Sequence, residues 1–433
     1  MLIEFSVENY LSFKDMVTLS LEASTEKGLD SNVIKGAQNS DFNLLKSVHI
    51  YGPNASGKSN LFKAILFMDD FVFGSSTDHG KDSLIPVTPF KLDENCIAKP
   101  SVFEIIFLSD GVRYQYGFSV TAKVVQEEWF YSYPFKRRRT LFVRNSSQSE
   151  THAQFNFGDN WKGEGVRLAG MTRPNALFIS VASQFNHSIA KIVTDWFSEN
   201  LRNAKALPTG MSEDDFTKRI CLEEPERKVD FLEILKNADL GIEDFKIKKT
   251  SFADSEIDKM LPPRVKEAMI KEFELNPEKV HLLEIATTRK GVDSKGNPIS
   301  VYFRENEESD GTRKYFALAG PLLHVLGEGC CLLADEMDSR LHPLLTRSII
   351  ELFHDENVNT KGAQLVSAIY ETSVLGEKGF FRRDQIWFME KDDSGATRLY
   401  SAWDYKIRKN ETLNKGYLAG RYGAIPFIEK LID

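Results

Sequence analysis

Eight consecutive residues, Gly52-Pro53-Asn54-Ala55-Ser56-Gly57-Lys58-Ser59, carry the spacing Gly-x-x-x-x-Gly-Lys-Ser. In that spacing the glycines let backbone N–H groups wrap a polyphosphate, the lysine reaches the β- and γ-phosphates, and the last hydroxyl ligates Mg²⁺. The motif stands where the chemistry needs it. The run Ser47-Val48-His49-Ile50-Tyr51 predicts a strand before it, and Asn60 to Leu66 predicts a helix after it, whose N-terminal dipole favours an anion. Gly52 through Asn60 are therefore candidate nucleotide-binding residues, with ATP and Mg²⁺ as the expected ligands, and Lys58 is also a candidate catalytic residue.

A phosphate loop of this kind works with a carboxylate at the end of a neighbouring strand, which holds the metal's water shell. The sequence Cys330-Cys331-Leu332-Leu333-Ala334-Asp335-Glu336 supplies one. Asp335 is the candidate metal partner beside Ser59, and Glu336 the candidate general base that orients and polarises the attacking water. The alternative for such an acidic pair is a helix cap. Upstream, Ser309-Asp310-Gly311-Thr312 precedes an apolar helical run and offers a hydroxyl, a glycine backbone and free N–H groups to a second anion. A plain N-cap is the alternative for Ser309 and Gly311 taken alone.

These groups have to be positioned by a frame, and the rest of the chain predicts an α/β one. Strands are expected at Ile3 to Val7, Val17 to Leu21, Val102 to Leu108 and Tyr114 to Val120, the last two joined by Ser109-Asp110-Gly111. After Ala176 to Ser180 the spacing turns helical, at Ile189 to Leu201, Arg227 to Lys236 and Pro263 to Phe273. Between Val280 and Phe303 two strand-like runs flank a hairpin loop. A helix from Gly311 to about Leu326, the apolar strand, a helix near Leu344 to Phe353 and a strand from Ala363 to Ile369 imply a buried parallel sheet.

Composition narrows the class. With 433 residues the chain exceeds one average domain, and 42% hydrophobic and 27% charged residues are ordinary for a soluble protein. No apolar run approaches the roughly 20 residues of a membrane span, and the N-terminus lacks a signal peptide's pattern, so a cytoplasmic protein is expected. Cys96, Cys221, Cys330 and Cys331 show no metal or disulfide spacing, and buried free thiols are expected. A net charge of -8 confines any nucleic-acid contact to a local patch, and Lys136-Arg137-Arg138-Arg139 is the candidate, with a solvated hairpin tip as the alternative. His49 and His342 read as hydrogen-bonded structural histidines. Lys391-Asp392-Asp393-Ser394-Gly395 reads as a turn and not as a metal site.

The order phosphate loop, long insertion, Ser-x-Gly-Thr, then apolar strand with Asp335-Glu336 resembles the ABC ATPase class in its chromosome-maintenance (SMC-like) branch. The resemblance implies a P-loop ABC-type ATPase head with a β-rich lobe and an inserted helical lobe, and the sequence, which carries no heptad run long enough for an extended coiled coil, predicts no long coiled coil. Residues 1–185 and 309–433 would form the two parts of the head and 186–308 the insertion. It also implies ATP sandwiched between two heads in a homodimer or higher oligomer, with Ser309, Gly311 and Thr312 acting in trans. Asp338 matches the D-loop aspartate, and Gln184 falls where a glutamine contacts Mg²⁺, a surface or buried amide being the alternative. Tyr370 stands at the switch-histidine position, which implies slow hydrolysis or tight ATP holding. Leu11, in Asn9-Tyr10-Leu11-Ser12-Phe13, stands where many SMC-like heads carry an arginine.

The segments Met1 to Leu21, Glu336 to Pro343 and Gly416 to Phe427 resemble compact bacterial ATPases of the RloA and AbiLi types and, more loosely, the AriA ATPase of the PARIS system. That likeness implies a sensor or regulatory subunit in antiphage defence by abortive infection, controlling a separate effector protein. The rival is an SMC-like ATPase of DNA repair or DNA-end processing that binds nucleic acid directly.

Overall fold

The computed structural model describes residues 1–77, 80, 83–146, 153–161, 164–203, 213–251, 262–264, 281–405 and 412–426. Most of the helix expected at Pro263 to Phe273, and Val280 and Phe427, lie outside the described residues. Two compact units emerge, one of residues 1–202, 325–338 and 349–433 and the other of 203–324 and 339–348.

The first unit holds a six-stranded sheet. From edge to edge it runs Leu201–Asn203, Cys331–Ala334, Gln364–Ala368, Ser47–Tyr51, Ile386–Lys391 and Thr397–Ser401. Cys331–Ala334, Gln364–Ala368, Ser47–Tyr51 and Ile386–Lys391 pair in parallel, and Ile386–Lys391 pairs antiparallel with Thr397–Ser401. All five residues of Ser47–Tyr51 are buried, as a strand covered on both faces requires. Parallel pairing has a direct consequence for the site. The chain leaves Tyr51, Ala334 and Ala368 at one edge of the sheet, so the segments that follow these strands converge there.

A second, seven-stranded antiparallel sheet completes the β-rich part, in the order Gln154–Phe157, Arg139–Asn145, Val125–Ser132, Val112–Val120, Ser101–Ser109, Leu2–Glu8 and Val17–Ser20. Ser101–Ser109 alternates buried and half-buried residues, which gives the sheet one core face. Against that core the helix Lys58–Gly74 buries Leu61, Phe62, Ile65, Met68, Phe71 and Val72. Its ring pairs Phe67–Phe103 and Phe71–Phe118 lie 4.8 and 5.5 Å apart. At about 25 cal/mol per Å² of apolar surface, this burial anchors the start of the helix and hence the loop before it. The segment after Ala176 enters a short helix, Phe178–Gln184, and Ser188–Asn200 follows. All four cysteines are buried free thiols.

The second unit contains a three-stranded antiparallel sheet of Asp244–Ser251, His281–Val292 and Pro298–Arg304. The helix Asp310–Glu328 carries Pro321 in its interior. Proline has no N–H for the carbonyl four residues earlier, and Thr217 Oγ1 donates to that carbonyl, Ala317 O, at 2.7 Å. Among the described residues this is the longest helix, at 19 residues, and no helix is long and apolar enough to cross a membrane.

Candidate functional site

The loop from Gly52 to Gly57 turns into the helix Lys58–Gly74, with Ala55 at φ 62° and Gly57 at φ 112°. A Cβ at Gly52 would stand 2.2 Å from Met389 O, and one at Gly57 would stand 2.4 Å from Thr397 Oγ1, so only glycine fits at either place. No side chain caps this helix and its first turn carries no acid, which leaves a cradle of N–H donors for an anion. The cradle, the lysine and the hydroxyl of Ser59 together fit a magnesium nucleotide.

Lys58 is 3% exposed. Its Nζ donates to Gly52 O at 2.6 Å and Pro53 O at 3.0 Å, and it lies 4.1 Å from the ring centroid of Tyr370. Burial pushes the ammonium down to about 8, against the pull of Asp335, Asp338 and Glu336. The structure therefore brings together the lysine, the acidic turn and the switch position. Asp335 and Glu336 are both half-buried. Glu336 adopts φ 56°, a left-handed conformation that a non-glycine residue holds only where its surroundings impose it.

Asp338 is buried, and its Oδ2 accepts Tyr370 N at 2.8 Å and Glu371 N at 2.6 Å. One carboxylate thus ties the acidic turn to the segment after Gln364–Ala368. Desolvation raises the pKa of Asp338, opposed by those two backbone donors. Burial, and then Glu336, Asp335 and Asp338, also raise the phenol of Tyr370, so it stays protonated at neutral pH and remains a donor.

Gln184 ends the helix Phe178–Gln184 and is exposed. That helix is fixed at its start by a fully buried carboxylate: Glu128 accepts Phe178 N at 2.6 Å, Ile179 N at 3.0 Å and Tyr116 OH at 3.1 Å. Arg144 lies 3.6 Å from Glu128 and donates to Ala176 O at 2.6 Å. In the second unit, Ser309 Oγ accepts Thr312 N at 3.1 Å and meets Thr312 Oγ1 at 2.9 Å, which is N-cap geometry. A Cβ on Gly311 would approach Arg340 O at 2.9 Å.

Thr397 and Ser12, which carried no assigned role in the sequence, stand against the loop. Thr397 Oγ1 donates to Ser56 O at 2.8 Å and accepts from the Ser12 hydroxyl at 2.8 Å, and Asn60 Nδ2 donates to Ser12 Oγ at 2.8 Å. Thr397 N donates to Ser12 O at 2.8 Å, so residues far apart in sequence brace the phosphate loop from behind. Nothing in the sequence around Thr397 marks it. Beside Asn60 a cavity of about 280 Å³ is lined by Leu11, Ser12, Phe90, Leu92 and Lys391. His49 bonds Ser367 at 2.8 Å and Ser47 at 2.9 Å in the core, where burial keeps it neutral.

The chain is similar to several solved structures. One is the SmcHead bound to the C-winged helix domain of ScpA, with TM-score 0.40 and 14% identity, covering 96% of this chain and 99% of that one. Another is the SMC head domain from Thermotoga maritima, at 0.40 and 12%, covering 94% and 99%. A third is the Smc head domain with an extended coiled coil bound to the C-terminal domain of ScpA derived from Pyrococcus furiosus, at 0.39 and 13%, covering 97% and 98%. No curated protein matches the sequence. The family described as "AAA domain, putative AbiEii toxin, Type IV TA system" matches residues 48–162 and 202–368. The first segment contains the phosphate loop and the second the Ser309 helix and the acidic turn, and with well over half of its residues matched the chain belongs to this family of AAA domains.

Proposed function

We propose that the protein is an ABC/SMC-like ATPase that binds ATP with Mg²⁺, hydrolyses it slowly and assembles through ATP held between two copies. Its proposed place is the sensor or regulatory subunit of a bacterial antiphage system acting on a separate effector. The observation that supports this reading best is Lys58: it is buried in a glycine cradle, roofed by Tyr370 and pulled on by three carboxylates.

The backbone N–H groups of Gly52 to Asn60 would hold the phosphates, and Lys58 would exchange its two loop carbonyls for phosphate oxygens. Ser59, Asp335 and Gln184 would hold the metal, which when bound supplies Lewis-acid polarisation of the phosphates. Glu336 orients the attacking water and accepts its proton. Tyr370 donates a hydrogen bond without exchanging a proton at pH 7, which is the basis for slow turnover. The cavity beside Asn60, with Leu11 and Phe90 in its wall, has the apolar character suited to a base. Ser309, Gly311 and Thr312 would face the nucleotide of a second copy, with Asp338 at the junction.

Single-turnover phosphate release, measured together with light scattering with and without ATP, tests the reading. Glu336→Gln is expected to keep ATP binding, slow release by about 100-fold or more and increase the ATP-dependent assembly. Unchanged release would remove Glu336 as the base, and a mass indifferent to ATP would remove the sandwich. The defence role is tested by phage plating on cells that carry the gene and its neighbours, where Lys58→Ala should abolish protection.

A further inference from the structure

Four of the hairpins among the described residues differ in what they place at the bend. Ser101–Ser109 turns into Val112–Val120 through Asp110 and Gly111, both at positive φ. His281–Val292 turns into Pro298–Arg304 through Asp293 to Asn297, with Gly296 at φ 80°, and Ile386–Lys391 turns into Thr397–Ser401 through Asp392 to Ala396, with Gly395 at φ 74°. Each uses the small polar chemistry that favours a solvated turn. The fourth, between Val125–Ser132 and Arg139–Asn145, does not. Its bend is Pro134-Phe135-Lys136-Arg137-Arg138, with Phe135 at φ 55° and Lys136 at φ 63°, and it has no glycine to relieve either.

Phe135 is 98% exposed, the most exposed large apolar side chain among the described residues. The bend below it is fixed. Tyr133 N donates to Arg113 O at 2.9 Å, Tyr133 OH bonds Gln115 Oε1, and the Arg113 guanidinium lies 3.9 Å from the Tyr133 ring centroid. Lys136 is paired with Asp41 at 2.7 Å. Arg138 lies 4.9 Å from the ring centroid of Tyr131, and Arg137, Arg138 and Arg139 are all exposed. The tip therefore holds an aromatic face outward on a rigid base with guanidinium groups beside it, on a chain whose net charge is -8.

We propose that this hairpin tip is a docking site for single-stranded nucleic acid, with Phe135 as the surface on which a base stacks and Arg137 and Arg138 as phosphate contacts. The chemistry selects this occupant. Guanidinium forks match phosphate oxygens, an exposed ring gains by covering one face with a base, and a single strand can offer both at once. An anionic membrane would use several apolar side chains on one face, whereas this tip presents one. The proposal stands apart from the nucleotide site and from the reading given to it.

The test is fluorescence anisotropy of a labelled 20-nucleotide oligothymidylate and an oligouridylate of equal length, titrated with the full chain over a salt series, beside a duplex and phosphatidylserine vesicles. Single strands are expected to bind with a salt slope that falls by about 1.4 in Arg137→Ala/Arg138→Ala, since each phosphate contact contributes about 0.7. Phe135→Ala should weaken binding about tenfold without changing that slope, and Phe135→Trp should restore it. The two oligonucleotides separate DNA from RNA as the source. Absence of binding at low salt, tighter binding of duplex that ignores Phe135→Ala, or vesicle binding in place of strand binding would each overturn the proposal. ATP binding, measured on the same variants, should be unchanged and shows that the chain is folded.

Discussion

Two helices of this protein begin with residues suited to anions, and they begin differently. Lys58–Gly74 starts at Gly57 with no side-chain cap and no acid in its first turn. Asp310–Glu328 starts with Ser309 already bonded to Thr312 N, and with Asp310 in its first turn paired to Arg340 at 3.2 Å. The first N-terminus keeps its donors for a ligand, while the second satisfies one of them from its own sequence. A helix start capped in this way keeps its other N–H groups but has one donor fewer for an anion. The first N-terminus therefore offers an anion more free donors than the second.

Lys58→Ala breaks the open site and should have the largest effect. Loss of a buried ammonium that donates charge-assisted bonds costs about 3 kcal/mol, so ATP affinity should fall by about 100-fold in calorimetric titration. The pH profile sharpens the same point. Because Lys58 is held at about 8, it binds fewer protons than an unfolded lysine between about 8 and 10.5; its stability penalty is present below 8 and fades as pH rises to 10.5. Affinity for ATP runs the other way, since the ammonium is what binds, and it should drop about tenfold between pH 7 and pH 9. Lys58→Arg should flatten that profile.

Thr397→Val tests the brace. It removes two hydroxyl bonds at about 1 kcal/mol each and should loosen ATP binding about fivefold while the fold persists. The smallest effect is expected at the capped helix. Ser309→Ala should cost about 1 kcal/mol in thermal unfolding, and Ser309→Gly only a few tenths. If the two variants lose ATP-dependent assembly equally, Ser309 touches the partner's nucleotide. If assembly follows the stability difference, the serine is only a cap.

The phosphate loop and the acidic strand end were legible because each depends on a contiguous segment with fixed spacing. Ser47 to Tyr51 and Cys331 to Ala334 announce themselves as buried strands, and both lie where expected. Thr397 was not legible, because its role is created by a strand pairing that brings it to Ser12 and Ser56 from 385 and 341 residues away. Asp338 was visible only as an aspartate in a turn. Its bonds to Tyr370 and Glu371 depend on the parallel sheet setting two strand ends side by side. At Lys136 to Arg139 the charges could be read from sequence, but the full exposure of Phe135 beside them could not.

Lys58 has one further consequence, in covalent reactivity. In the empty site burial lowers its pKa to about 8, so more of it is free amine at pH 7 than of an ordinary surface lysine. Small acylating or aldehyde reagents without phosphate should react with this amine in the empty site in preference to exposed lysines, and bound nucleotide, whose phosphates hold the ammonium charged, should protect it. Tyr370, standing over it, would govern how far such a reagent can reach.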